Sequence, residues 1–239
     1  MNYSLIATQV PGMRDPRRAI RRKPWGLLLH TTGRGVPKLA AAKGRTALDV
    51  AIAVYRASQN GSNGYPWGGP HYVLDYDGGL HQIAPDDAVT AHAGGGDRVD
   101  YLDGDWEHEA TDEMVSRWRA QWPGVRGPYD LFPSRSPNTD YIGVEMIPLG
   151  SGLGGNPMAP GLLFTLAQHE ACVALGRDCA RRHEWPGDWH RTGRLVGHED
   201  VQPINRDDAH GGWDPGYLRE RPYFDFRYVR YTLDVERAP

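Results

Sequence analysis

The 239-residue sequence predicts an α/β fold, a mixed β-sheet flanked by α-helices in a single domain. Three observations carry this. Short apolar runs of strand length, Leu27–Leu29, Tyr72–Leu74, Ile142–Met146 and Leu195–Val196, are spread along the chain. Two segments between them repeat their apolar residues at helical spacing, and one pair of runs is joined by a tight-turn sequence. With 39% hydrophobic and 24% charged residues, the chain has material for one core.

Residues 1–24 form a basic amino-terminal extension. Its Arg14, Arg17, Arg18, Arg21, Arg22 and Lys23 read as a solvated lead-in to the first strand, with an anionic polymer or membrane surface as the alternative contact. Leu27–Leu29 is the first strand. Thr46, with Asp49 three residues on, opens the first helix by offering a side-chain acceptor to an unpaired first-turn amide. Tyr72–Leu74 runs through Asp77-Gly78-Gly79 into Leu80–Ile83, and Asp-Gly marks a hairpin, so these two strands should pair antiparallel.

Residues 94–140 read as an elaborated loop inserted in the domain. Its acidic start (Asp97, Asp100, Asp103, Asp105, Glu107, Glu109) lacks the spacing of a calcium loop and is taken as solvated charge. Within it, Thr111–Trp122 predicts a short helix in which Met114, Trp118 and Trp122 form a packing stripe. Ile142–Met146 is the next strand. Thr165 and Gln168 form a capping box for a second long helix, with Phe164, Ala167, Ala171, Leu175 and Cys179 on one arc and Glu170, Arg177 and Arg181 opposite. Cys172 and Cys179 lie seven residues apart on that helix, about 10 Å at 1.5 Å rise per residue, too far for a disulfide. After Leu195–Val196, the tail at 221–239 alternates Tyr223, Phe224, Phe226, Tyr228 and Tyr231 with charges and predicts one closing strand of the same domain.

Net charge of −3 supplies no field for general nucleic-acid binding. No leader pattern stands in the first thirty residues and no apolar run nears the roughly 20 residues of a membrane span. The expectation is synthesis in the cytoplasm without a signal peptide, and no stable membrane insertion.

Two of the ten histidines, His30 and His198, directly follow apolar runs, and Glu145 sits near the end of another. Open sheets gather ligands at the carboxyl ends of their strands, so these three polar groups are predicted to meet there. Two imidazoles and a carboxylate suit a catalytic zinc, leaving a fourth position for water. Asp214 is the chosen third ligand, because the turn Asp214-Pro215-Gly216 follows the His198 strand and returns the chain to the same edge.

The segments Leu27-Leu28-Leu29-His30-Thr31-Thr32, Gly69-Pro70-His71-Tyr72-Val73-Leu74, Ala91-His92-Ala93-Gly94, Ile142-Gly143-Val144-Glu145, Thr165-Leu166-Ala167-Gln168, and Gly197-His198-Glu199-Asp200 through Asp214-Pro215-Gly216 occur in a familiar order. Over about residues 25 to 220 the chain resembles the type 2 N-acetylmuramoyl-L-alanine amidases, which include phage lysozyme-like amidases and peptidoglycan recognition proteins. The resemblance implies a mixed sheet flanked by helices, one Zn2+, and hydrolysis of the amide between N-acetylmuramic acid and L-alanine. It also implies His30, His198 and Asp214 as metal ligands and Glu145 as the catalytic acid, with His71 and His92 lining the substrate groove.

Two departures stand out. Pro70 occupies the place of a tyrosine, and Gly212 that of a lysine two residues before the last ligand. On the additional segment Ile204–Gly211, His210 is the first candidate to replace the lysine and Arg206 the second. The resemblance admits a lytic enzyme such as a phage endolysin or autolysin, a cytosolic amidase recycling muropeptides, or a peptidoglycan-binding protein that does not cut. Members of the last kind commonly lose a ligand, whereas this sequence keeps all three candidates. The expected substrate is peptidoglycan or a muropeptide, bound by a monomer. An endolysin lacking a leader would need a holin-type partner.

Overall fold

The computed structural model describes residues 3–10, 23–32, 35–59, 68–93, 110–134, 136–148, 164–204 and 224–235. Most of the basic extension lies outside them. Six strands, β1 (Thr8–Gln9), β2 (Gly26–Thr31), β3 (Tyr72–Leu74), β4 (Leu80–Gln82), β5 (Tyr141–Met146) and β6 (Leu195–Gly197), form one mixed sheet in the order β1-β4-β3-β5-β2-β6. The predicted hairpin is present: β3 and β4 pair antiparallel, while every other neighbouring pair is parallel. Its turn uses Gly78 at φ +88°, a conformation that glycine adopts without strain, and Asp77 accepts the Gly79 amide at 2.8 Å.

The helices are α1 (Gly35–Lys43), α2 (Ala47–Gln59), α3 (Asp112–Gln121), α4 (Pro137–Asp140), α5 (Leu166–Arg182), α6 (His198–Val201) and α7 (Phe226–Val235). The helix starts follow the predicted chemistry. Thr46 accepts the Asp49 amide, Thr111 caps α3, and Thr165 with Gln168 completes the capping box of α5.

Parallel strands buried on both faces need apolar residues on both, and β2 is buried through His30. On one face Leu27, Leu29, Ile142, Val144 and Leu195 pack with Cys172, Val173, Leu175 and Cys179 of α5, joined by Phe226, Val229 and Leu233 of α7. On the other face two clusters divide the cover. Val73 and Ile83 meet α1 and α2 through Val36, Ala40, Val50 and Ala51, while Leu28, Tyr141 and Val196 meet Trp118, Trp122 and Phe132. Trp118 and Trp122 of the insertion are therefore core, and Trp118 Nε1 donates to the Asp200 carbonyl at 2.9 Å, fixing α3 to α6.

The predicted closing strand is a helix. The aromatic alternation from Tyr223 ends at Phe226, and beyond it the buried residues recur at Phe226, Val229 and Leu233, a helical interval. Asp225 sets the switch by accepting the Arg227 and Tyr228 amides at 2.9 and 3.0 Å, a capping role that the alternation masks. Cys172 and Cys179 are free and buried, and burial pushes the Cys172 thiol up to about 12.

A buried polar hub ties the β3–β4 hairpin to α5. Asp86, fully buried, accepts from Tyr72 (2.6 Å), Gln82 (3.0 Å), His183 (2.8 Å) and the Arg182 guanidinium. Arg182 also reaches Asp178 at 2.9 Å, and Asp178 accepts from Ser4 at 2.7 Å. Removing one side of a buried ion pair strands the other charge. Asp86→Ala is therefore expected to lower stability by about 3–5 kcal/mol in urea unfolding. Beyond the carboxyl end of α5, α7 is held by Asp234, which pairs with Arg191 and His190. The hydrogen bond from Arg191 is the main cause holding the Asp234 carboxyl down to about 2. Its stabilisation is thus full above the unfolded carboxyl's value of about 3.9 and fades as pH falls through about 2. The gap in thermal midpoint between the natural protein and Asp234→Asn should close over that window.

Candidate metal and active site

The sheet register sets the site. In β2, Leu29 pairs with Gly197 of β6, and His30 pairs with Glu145 of β5. Residues paired across adjacent strands, about 4.8 Å apart, project to the same face, so His30 and Glu145 stand side by side. His198 follows directly, where the chain leaves β6 at Gly197 and enters α6. Asp200 stabilises that entry by accepting the Gly197 amide at 2.8 Å. The expected meeting of His30, His198 and Glu145 at the carboxyl ends of three parallel strands is what the register produces. All three are nearly enclosed: 1%, 1% and 9% exposed.

His30 Nδ1 and His198 Nδ1 lie 2.9 Å apart, the rings inclined at 74°. The other nitrogen of His198, Nε2, is 2.6 Å from Gln202 Oε1. An amide oxygen only accepts, so the Nε2–H of His198 donates to Gln202 and its Nδ1 faces His30. Two nitrogens bound tetrahedrally to zinc at about 2.0–2.1 Å are separated by about 3.3 Å, so this pair is within a few tenths of an ångström of a zinc-binding spacing. The donor set fits the ion. Among the described residues no cluster of three His, Cys, Asp or Glu side chains completes a metal site. Asp214, the expected third ligand, lies outside the described residues, as do Arg206, His210 and Gly212.

The two histidines expected in the groove are placed differently from one another. His71 is fully buried: its Nδ1 accepts the Gly143 amide at 2.9 Å, so its Nε2 carries the proton and donates to the Ala88 carbonyl at 2.9 Å. Both nitrogens thus brace β5 against the segment after β4, a scaffold position. His92, 8% exposed, lies against His30, with Nδ1 3.0 Å from His30 Nε2 and Nε2 3.2 Å from the Tyr141 carbonyl. Pro70 is buried next to His71. Away from the site, His169 stacks on Phe224 at 4.3 Å, and His183 and His190 bond to Asp86 and Asp234.

Sequence reading missed Gln202 and Asn138. Gln202 stands four residues after His198, one helical turn on, and that spacing could have suggested contact. Asn138 accepts the His92 and Ala93 amides at 2.9 and 2.7 Å and donates to the Ala93 carbonyl at 2.8 Å, clamping this loop. Nothing in Ser136-Pro137-Asn138-Thr139-Asp140 signals that role, since the partner is 45 residues away.

No match was found among curated proteins. Two solved structures are similar at 14% identity and a TM-score of 0.45. One is the endolysine N-acetylmuramoyl-L-alanine amidase LysCS from Clostridium intestinale URNW, with 98% of this chain and 99% of that chain covered. The other is the N-acetylmuramoyl-L-alanine amidase LysC from the same organism, with 95% and 97% covered. The sequence model of the N-acetylmuramoyl-L-alanine amidase family matches residues 21–217, a span that includes His30, Glu145, His198 and Asp214. The chain belongs to the N-acetylmuramoyl-L-alanine amidase family.

Proposed function

We propose that this protein is a zinc-dependent hydrolase of peptidoglycan, cutting the amide that joins the lactyl group of N-acetylmuramic acid to L-alanine. The observation that carries the reading is the approach of two buried imidazole Nδ1 atoms to 2.9 Å beside the carboxylate paired with His30. His30, His198 and Asp214 would hold the ion. Zinc in such a site lowers the pKa of a bound water and polarises a carbonyl.

The chain's own part begins with Glu145. Its carboxylate takes the proton from the water that attacks the lactyl carbonyl and delivers it to the leaving L-alanine nitrogen, giving a free carboxylate and a free amine. Enclosure of Glu145 at 9% exposure keeps bulk water from competing for that proton. Gln202 fixes the ring of His198 with its Nδ1 towards His30, where the two imidazoles would hold the ion. His210, and after it Arg206, would supply the cationic or hydrogen-bonding partner for the developing oxyanion that a lysine at Gly212 would otherwise provide. The intact wall polymer is the favoured substrate, making this a lytic enzyme of endolysin or autolysin type. Soluble muropeptides are the comparison that separates it from a recycling amidase.

Mass spectrometry of digested peptidoglycan tests the reading. Stem peptides with free L-alanine amino ends should appear with zinc-loaded protein and vanish on chelation. Glu145→Gln should lower their release about 10²–10⁴-fold with zinc still bound. Zinc uptake without release from polymer or muropeptide would instead make this a recognition protein. For the oxyanion partner, His210→Ala should reduce turnover about 10²–10³-fold at unchanged zinc content, and unchanged turnover would remove His210 from the mechanism.

A further inference from the structure

We propose that the amino-terminal segment carries a docking surface for an anionic membrane, in which Tyr3, Leu5 and Ile6 enter the lipid interface and the charge of the partner is set by the basic run that follows them. The amidase reading uses neither feature, and the family match begins only at residue 21.

Tyr3, Leu5 and Ile6 are 39%, 80% and 49% exposed, three large apolar side chains within four residues. Single exposed apolar residues are ordinary on a protein surface, whereas a cluster marks a contact surface. This cluster is also held in place. Ser4 is buried among them and bonded on three sides: its amide donates to Gln82 Oε1 at 2.8 Å, its hydroxyl donates to Asp178 at 2.7 Å, and its carbonyl accepts from Gln9 Nε2 at 3.3 Å. The same hydroxyl accepts the Ile6 amide at 3.2 Å, closing a short turn with Leu5 at its corner. The chain then enters β1, which pairs with β4, while Ala7 packs on the α5 face of the sheet and Val10 on the α1 and α2 face. Leu5 and Ile6 are thus displayed from an anchored sheet edge, so little conformational freedom is lost when they are covered.

The sequence states the charge of the partner. After Val10, five arginines against one aspartate give residues 11–22 a net charge of +4, in a chain whose total is −3, so the remainder carries −7. Lys23, next in line, is already paired with Glu184. Exposed apolar side chains and neighbouring cations are two signals that together hold a protein at an anionic bilayer, each weak alone. A soluble polyanion would meet the arginines and leave Leu5 and Ile6 in water, so lipid is the favoured occupant. The contact is peripheral, since among the described residues no helix is long and apolar enough to cross a membrane.

Co-sedimentation of the full-length protein with lipid vesicles at about 0.1 M salt is the test, and it needs no enzymatic activity. Vesicles of phosphatidylglycerol and phosphatidylethanolamine should bind the natural protein about 10-fold or more tightly than vesicles of phosphatidylcholine, and added salt should weaken that binding by screening the arginines. Leu5→Asp combined with Ile6→Asp should lose about 10–100-fold in affinity. Arg17→Gln and Arg18→Gln should each lose about 5-fold.

The thermal midpoint of each variant, measured beside its binding, separates loss of docking from loss of fold. Leu5→Asp alone, at the most exposed of the three positions, covers the case in which the double variant fails to fold. Equal vesicle binding by the natural protein and the Leu5 variants, equal uptake by neutral and anionic vesicles, or no uptake by either would overturn the proposal. Binding to soluble polyglycerol phosphate without uptake by vesicles would assign the basic run to an anionic polymer and overturn it as well. None of these outcomes bears on the amidase reading, which is decided by the release of stem peptides.

Discussion

The structure depends on the register of β2 between two parallel neighbours. A strand's side chains alternate faces, so a slip of one residue would send His30 into the apolar layer under α5 and bring Leu29 to the site. Leu27 and Leu29 oppose that slip through burial on the α5 face, and Leu28 opposes it through the cluster around Trp118. The same burial that stabilises the sheet therefore positions the imidazole. Glu145 inherits its place because β5 is the other neighbour, and His198 because β6 ends one residue before it.

Around this row, polar groups are enclosed and answered by specific partners. Gln202 and His92 bond to His198 and His30, and His71, just before β3, braces β5. Beyond β3, Asp86 gathers four donors from the hairpin and α5. Buried polar networks that are fully satisfied specify a unique arrangement, and here they flank the strands whose ends carry the site. Their cost of desolvation is borne by a core that is apolar on both sheet faces.

Much of this was legible in the sequence because strand burial, turn chemistry and capping are local. Leu27–Leu29 and Ile142–Met146 announced buried strands, Asp77-Gly78 a hairpin, and Thr165 with Gln168 a helix start. His30 and His198 stood out because each ends an apolar run. What was not legible is non-local or ambiguous. The clamp by Asn138 and the scaffold role of His71 depend on partners far along the chain. The aromatic alternation after Tyr223 imitated a strand until Asp225 capped a helix. The motif around His92 marked it for the site, while its contact with His30 arises only from the fold.

The most direct test of the central claim is the position of zinc in crystals of the metal-loaded protein, located by anomalous scattering at the zinc edge. The account predicts one strong peak between His30 Nδ1 and His198 Nδ1, with Asp214 completing the protein ligands. A peak bound through other side chains, or none at full zinc loading, would contradict it.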